Sequence, residues 1–117
     1  KNDSNFIVTS KNKLCGDKIT VGIKINKKNI EKMSFETESC IFCQASASLL
    51  SKITKESSIM NTRDDISEIS KTCKNNKIIL KRKYKVFKKL FKDKYKERYN
   101  CILLPFNALL KAINNCI

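Results

Sequence analysis

Apolar positions recur with two different periods along this chain, and the change falls near residue 40. In the first third the period is two. Phe6–Ser10 (FIVTS) reads as a short strand, and Ile19–Ile25 (ITVGIKI) alternates apolar with small or polar residues, as a half-buried strand does. The polar run 26–29 (NKKN) predicts a turn. Ile30–Phe35 (IEKMSF) alternates again, with Ile30, Lys32 and Ser34 facing opposite to Glu31, Met33 and Phe35, an imperfect phase. A three-stranded, mostly antiparallel meander is the economical arrangement.

Beyond residue 40 the period becomes helical. A helix is expected over Ile41–Ile53, with Ala45, Leu49 and Ile53 repeating every four residues. In the stretch NTRDDISEISKTCKNN, Thr62 stands three before Asp65, the spacing of an N-cap. Ile66, Ile69 and Cys73 share one face of the helix it would open. Residues 81–96 place Tyr84, Phe87, Phe91 and Tyr95 on one stripe flanked by lysines. Such a stripe suits a membrane-surface or nucleic-acid helix, but it more often packs on a core with its lysines solvated. A last helix is expected from Cys101 to Asn114, with Pro105 in its first turn, where a missing N–H costs little. Strands followed by helices predict an α+β fold, with helices on one face of a small sheet. At 117 residues the chain is expected to form one domain, residues 1–117.

The net charge of +14 changes this picture less than it first suggests. Phosphate neutralisation is a common use of a basic surface. Here only three of the 25 basic residues are arginine, the side chain that reads bases and phosphates in bidentate fashion. The rest are lysines in a chain rich in isoleucine and asparagine, a bias of A/T-rich codons. No specific nucleic-acid partner is therefore expected. No apolar run approaches the roughly 20 residues of a membrane span, and the start carries no signal-peptide pattern. The expectation is a soluble, cytoplasmic protein. Because the sequence opens at Lys1, a helical N-terminal part is expected to precede it.

The six cysteines, Cys15, Cys40, Cys43, Cys73, Cys101 and Cys116, are the candidate chemistry. Without a secretion signal, metal binding or thiol chemistry is favoured over a disulfide scaffold. The chain has no histidine, so it holds no Cys–His pair and any metal must be held by thiolates and carboxylates. Cys15 lies in the turn KLCGD beside Gly16 and Asp17. Cys40 and Cys101 stand where helices begin, and thiolates are favoured there by the partial positive charge. Three thiolates and a carboxylate would form a tetrahedral set suited to zinc, or to an iron–sulfur cluster as a transient guest.

CGD after a strand, C-x-x-x-x-A-S-A-S from Cys40, and R-x-x-C closing on Cys101 together resemble the SufU/IscU/NifU N-terminal family of iron–sulfur assembly proteins. The resemblance spans nearly the whole chain, and the 61-residue step from Cys40 to Cys101 is similar to the longer SufU-like branch. It implies that Cys15, Asp17, Cys40 and Cys101 hold the metal, that Cys15, Cys40 and Cys101 hold the cluster, and that Arg98 supports them. Asn100 stands where the IscU branch carries histidine, and Thr37 and Ser39 replace that branch's glycines. The implied activity is that of a scaffold and sulfur acceptor rather than a stand-alone enzyme, with Cys15 as the acceptor. Its partners would be a cysteine desulfurase and apo iron–sulfur proteins, and its metals zinc or iron with a transient Fe–S cluster. Two alternatives stay open: a zinc-dependent sulfurtransferase that never holds a cluster, and a basic nucleic-acid-binding module with a structural zinc. Cys43, one turn beyond Cys40, is read as a buried small side chain, with exchange against Cys40 as the alternative. Cys73 and Cys116 are given no role.

Overall fold

The computed structural model describes residues 6–12, 16–38, 41–74, 80 and 82–116. β1 (Phe6–Asn12), β2 (Asp17–Asn26) and β3 (Asn29–Glu38) form an antiparallel meander, and a two-residue strand, β4 (Ser57–Ser58), pairs with the start of β3. The sheet therefore has four strands in the order β1-β2-β3-β4, one more than the alternation predicted. β4 is too short to leave a periodic signal.

Asn26 pairs with Asn29, so Lys27 and Lys28 form a two-residue turn, both at positive φ (53° and 70°). Such turns match the right-handed twist of the strands they join. A register shift at Lys24/Ile25 accounts for the imperfect phase of β3. Opposed residues share a face, so Ile19, Val21 and Ile23 stand with Thr37, Phe35 and Met33. The bulge returns Ile30 to that same side, although Ile30 and Met33 are three apart. Ile19, Val21, Ile23 and Ile30 are fully buried on it.

The helices cover this face. α1 (Ile41–Ile53) has the predicted bounds, but its core stripe is Cys43, Ser46, Ala47 and Leu50. Ala45, Leu49 and Ile53 lie one position round and are only half-buried. α2 (Ile59–Lys74) begins three residues before Thr62. Its cap is Ser58, whose Oγ accepts from the Asn61 N–H at 3.4 Å, and Thr62 is buried inside the first turns.

The lysine-rich stretch is not one helix. It forms two 3₁₀ helices, Arg82–Lys89 and Asp93–Arg98, separated by residues 90–92. The first sets Tyr84 and Phe87 on one side at the three-residue period of a 3₁₀ helix, and both are buried. Phe87 packs on Phe106 with ring centroids 4.8 Å apart, and Phe91 meets Tyr99 edge-on at 5.3 Å. The lysines described here are exposed, as the packing interpretation of the stripe requires.

α3 (Tyr99–Cys116) starts two residues earlier than predicted, so Pro105 lies in its interior rather than its first turn. The buried row Ile102, Phe106, Leu109 and Ile113 carries α3 across β1 and β2 as the central helix of the core.

Candidate functional site

The strand register places the flanks of the predicted ligands at one end of the sheet. Asn12 pairs with Asp17 and Lys18 pairs with Glu38, so β1 ends, β2 begins and β3 ends together. Cys15 belongs to the connection before Asp17 and Cys40 to the step from Glu38 to Ile41. Both lie outside the described residues. The residues beside them are described, and they share this end.

Asp17 opens β2 in phase with Ile19, Val21 and Ile23, and its carboxylate is therefore on the helix-covered face. It is 5% exposed. A carboxylate at that position loses most of its water and is tolerated only where it gains other partners. Gly16 precedes it at φ +74°, a conformation glycine takes without strain, and a Cβ there would meet no neighbour among the described residues. Gly16 is itself exposed.

Both helix starts lean on this end. Thr37, the penultimate residue of β3, sets its Oγ1 3.8 Å from the Sγ of Cys43 in the first turn of α1. Phe42 stacks at a tilt on Tyr95, centroids 4.9 Å apart, which ties the start of α1 to the 3₁₀ helix leading into α3. One turn further on, Ser46 Oγ donates to the carbonyl of Ile102 at 2.6 Å, locking α1 to α3 beside Cys101. Cys101 is the third residue of α3 and fully buried, as is Cys43. Arg98 is exposed at the end of the second 3₁₀ helix, just ahead of α3.

Among the described residues no three His, Cys, Asp or Glu side chains are grouped to hold a metal ion. The described part of the predicted set is the carboxylate of Asp17 and the thiol of Cys101. Cys73 is buried on α2, and burial pushes its thiol up from the ordinary value, keeping it protonated. Two contributors escaped the sequence reading. Ser46 and Thr37 look like solvated hydroxyls, and only the alternation of serine with alanine in ASAS hints that one serine faces inward. No helix is long and apolar enough to cross a membrane among the described residues.

This architecture is similar to solved structures. A nitrogen-fixing NifU-like protein (N-terminal) from Brucella abortus superposes with a TM-score of 0.85 at 23% identity, covering 97% of this chain and 80% of that one. A protein assigned as an iron–sulfur cluster assembly scaffold for the SUF system, from the thermophile Fervidobacterium islandicum AW-1, gives 0.82 at 19% identity. It covers 97% of this chain and 83% of the other. At such identities the likeness shows the fold. No curated protein matches the chain significantly. The family model for the NifU-like N terminal domain matches residues 1–116, and the chain belongs to that family.

Proposed function

We propose that this chain is an iron–sulfur cluster assembly scaffold that accepts sulfur from a cysteine desulfurase and passes its product to apo iron–sulfur proteins. The observation that carries this reading is Asp17. Its carboxylate is buried on the helix-covered face, at the sheet end where α1 and α3 start. In this reading Cys15, Asp17, Cys40 and Cys101 hold the incoming iron, with the three thiolates retaining the growing cluster. Iron and sulfide are cargo here. The same three thiolates and one carboxylate fit zinc, which when bound would keep the thiols deprotonated. Residues 1–117 would act as one unit, in the cytoplasm.

Sulfur arrives by exchange. The Cys15 thiolate attacks the outer sulfur of the desulfurase persulfide, forming a new S–S bond on Cys15. The S–S bond on the desulfurase breaks, and its cysteine leaves with the electron pair as a thiolate. The exposure of Gly16 supports Cys15 as acceptor, because a partner's loop can approach there. The burial of Cys101 supports a fixed, holding role. Arg98, exposed ahead of α3, is a cation placed to support an anionic cargo.

The test is a desulfurase reaction with isotopically labelled cysteine, followed by mass spectrometry of the chain. The label is expected on Cys15, and Cys15→Ser should lose it while keeping its circular dichroism spectrum. Labelling chiefly on Cys43 or Cys101 overturns the acceptor assignment. Anaerobic reconstitution with iron and sulfide should give a brown protein with acid-labile sulfide. A colourless protein holding one zinc would instead favour a sulfurtransferase that never carries a cluster.

A further inference from the structure

The two edges of the sheet are unequal. One closes with β4, two residues long and followed at once by α2. The other is β1, seven residues that pair only with β2 among the described residues. A long open edge is a template for a further strand. α3 packs beneath β1 and leaves a groove of roughly 440 Å³ between helix and strand. Its helical wall is the stripe Leu104, Asn107, Leu110, Lys111 and Asn114. Those ten steps of helix rise about 15 Å, the length of four to five extended residues at about 3.3 Å each.

The strand wall supplies Ser10 and Lys11. Ser10 is 6% exposed and its Oγ has no hydrogen-bond partner among the described residues. A buried hydroxyl without a partner is a cost that a bound polar group removes. Lys11 pairs with Lys18 on the solvent face of the sheet and Lys111 stands on the helix, both exposed, so a cation flanks the β1 edge on each face. These charges select the occupant. A second copy of a chain with net charge +14 would set lysines against lysines, whereas a carboxylate-bearing strand would neutralise them.

We infer that the β1 edge and the β1/α3 groove bind an extended, acidic peptide segment of a partner protein. The segment joins the sheet as an outer strand through its backbone. Carboxylates on opposite faces of the segment reach Lys11 and Lys111, and the Ser10 hydroxyl donates to an acceptor on the segment.

Fluorescence anisotropy of the full chain with a labelled seven-residue peptide carrying glutamates on both faces of the strand tests this. Saturable 1:1 binding that weakens with salt is expected, with protection from amide exchange at residues 6–12. Changing both lysines, Lys11→Glu with Lys111→Glu, should raise Kd on the order of tenfold or more. Methylating alternate backbone nitrogens of the peptide should abolish binding, because only strand addition needs those N–H groups. Ser10→Ala should weaken the peptide a few-fold while raising the Tm of the free protein, a pair of opposite signs that lost packing does not produce. The inference is overturned if the N-methylated peptide binds as tightly, or if the folded double variant binds unchanged. It is equally overturned if the chain dimerises through residues 6–12 and the acidic peptide does not displace its partner copy.

Discussion

The end of the sheet and the lysine-rich 3₁₀ segment treat polar groups in opposite ways. At the sheet end a carboxylate, two thiols and a serine hydroxyl are turned into the core: Asp17, Cys43, Cys101 and Ser46. In the segment from Arg82 to Arg98 the described charges point outward, while Tyr84 and Phe87 are turned in. Burying polar atoms costs free energy and solvating lysines costs almost none. The highest local charge in the described residues therefore goes with ordinary solvation, and the buried polar groups at the end of the sheet are the costlier feature.

The sharpest way to break that comparison is to exchange the expected weights of ring and charge in the 3₁₀ segment. Phe87→Ala should cost about 3–5 kcal/mol by denaturant unfolding, because the ring is fully buried against Phe106. Lys88→Ala with Lys89→Ala should stay within about 0.5 kcal/mol of the parent. Equal losses would give the charges a role in the fold that their exposure denies them. Sub-micromolar, sequence-selective DNA or RNA binding at physiological salt would overturn the packing interpretation from the other side.

At the sheet end the largest effect should fall on metal rather than on folding. Cys101→Ser should lower iron or zinc affinity by about 10–100-fold or more, because a hydroxyl is a poor, protonated substitute for a thiolate. Metal titration reads that loss, and retained far-ultraviolet circular dichroism separates it from unfolding. Ser46→Ala, on α1 beside Cys101, should cost about 1 kcal/mol through the lost bond to the Ile102 carbonyl.

The smallest effect concerns pH and lies in the basic segment. The hydroxyls of Tyr84 and Thr62 are buried side by side, and among the described residues neither has a partner beyond the other. Burial first, and the charge of Asp65 second, raise the Tyr84 phenol above its ordinary value. A raised acid is neutral in the fold while the unfolded chain ionises, so its stabilising contribution is complete below about pH 10 and is lost above it. Lys83 has the opposite sign. Burial lowers its ammonium against the pull of Asp65, so the fold gains relative stability as pH approaches the unfolded lysine value. Comparing parent with Tyr84→Phe cancels the Lys83 contribution. The variant should stay within about 1 kcal/mol of the parent at pH 7, because the lost donor and the Thr62 hydroxyl left behind offset each other. Its loss of stability between pH 9 and about 11 should be shallower in thermal melts. An identical alkaline slope would show that Tyr84 does not titrate with unfolding.

Much of the fold was legible because period-two alternation survives wherever one face of a strand is buried. β2 and the bounds of α1 follow from pattern alone. The errors have local causes. The stripe of α1 was misplaced by one position because its core side is made of Cys43, Ser46 and Ala47, none of which scores as strongly apolar. Thr62 imitated an N-cap, whereas Ser58 is positioned by β4, a strand no periodicity announces. The break at residues 90–92 has neither glycine nor proline to mark it. It follows from packing Tyr84 and Phe87 inward at a three-residue period, with Tyr95 adopting a non-helical backbone. At the site, Asp17 was legible as a carboxylate two residues from Cys15 in a glycine turn, but its burial was not, since spacing alone says nothing of a carboxylate facing a core. The convergence of its flanks depends on strand register and on the rings of Phe42 and Tyr95, which are long-range facts.

Pro105 gives α3 a mechanical seam. Proline has no N–H, so the helical ladder lacks the rung that would run from position 105 back to the carbonyl of Cys101. Beyond the seam, Phe106, Leu109 and Ile113 are fully buried and hold the long C-terminal portion in place. The front turn keeps its place through side chains instead: Cys101 and Ile102 are fully buried and Ser46 bonds the Ile102 carbonyl, so the fixed position of Cys101 does not depend on the missing rung.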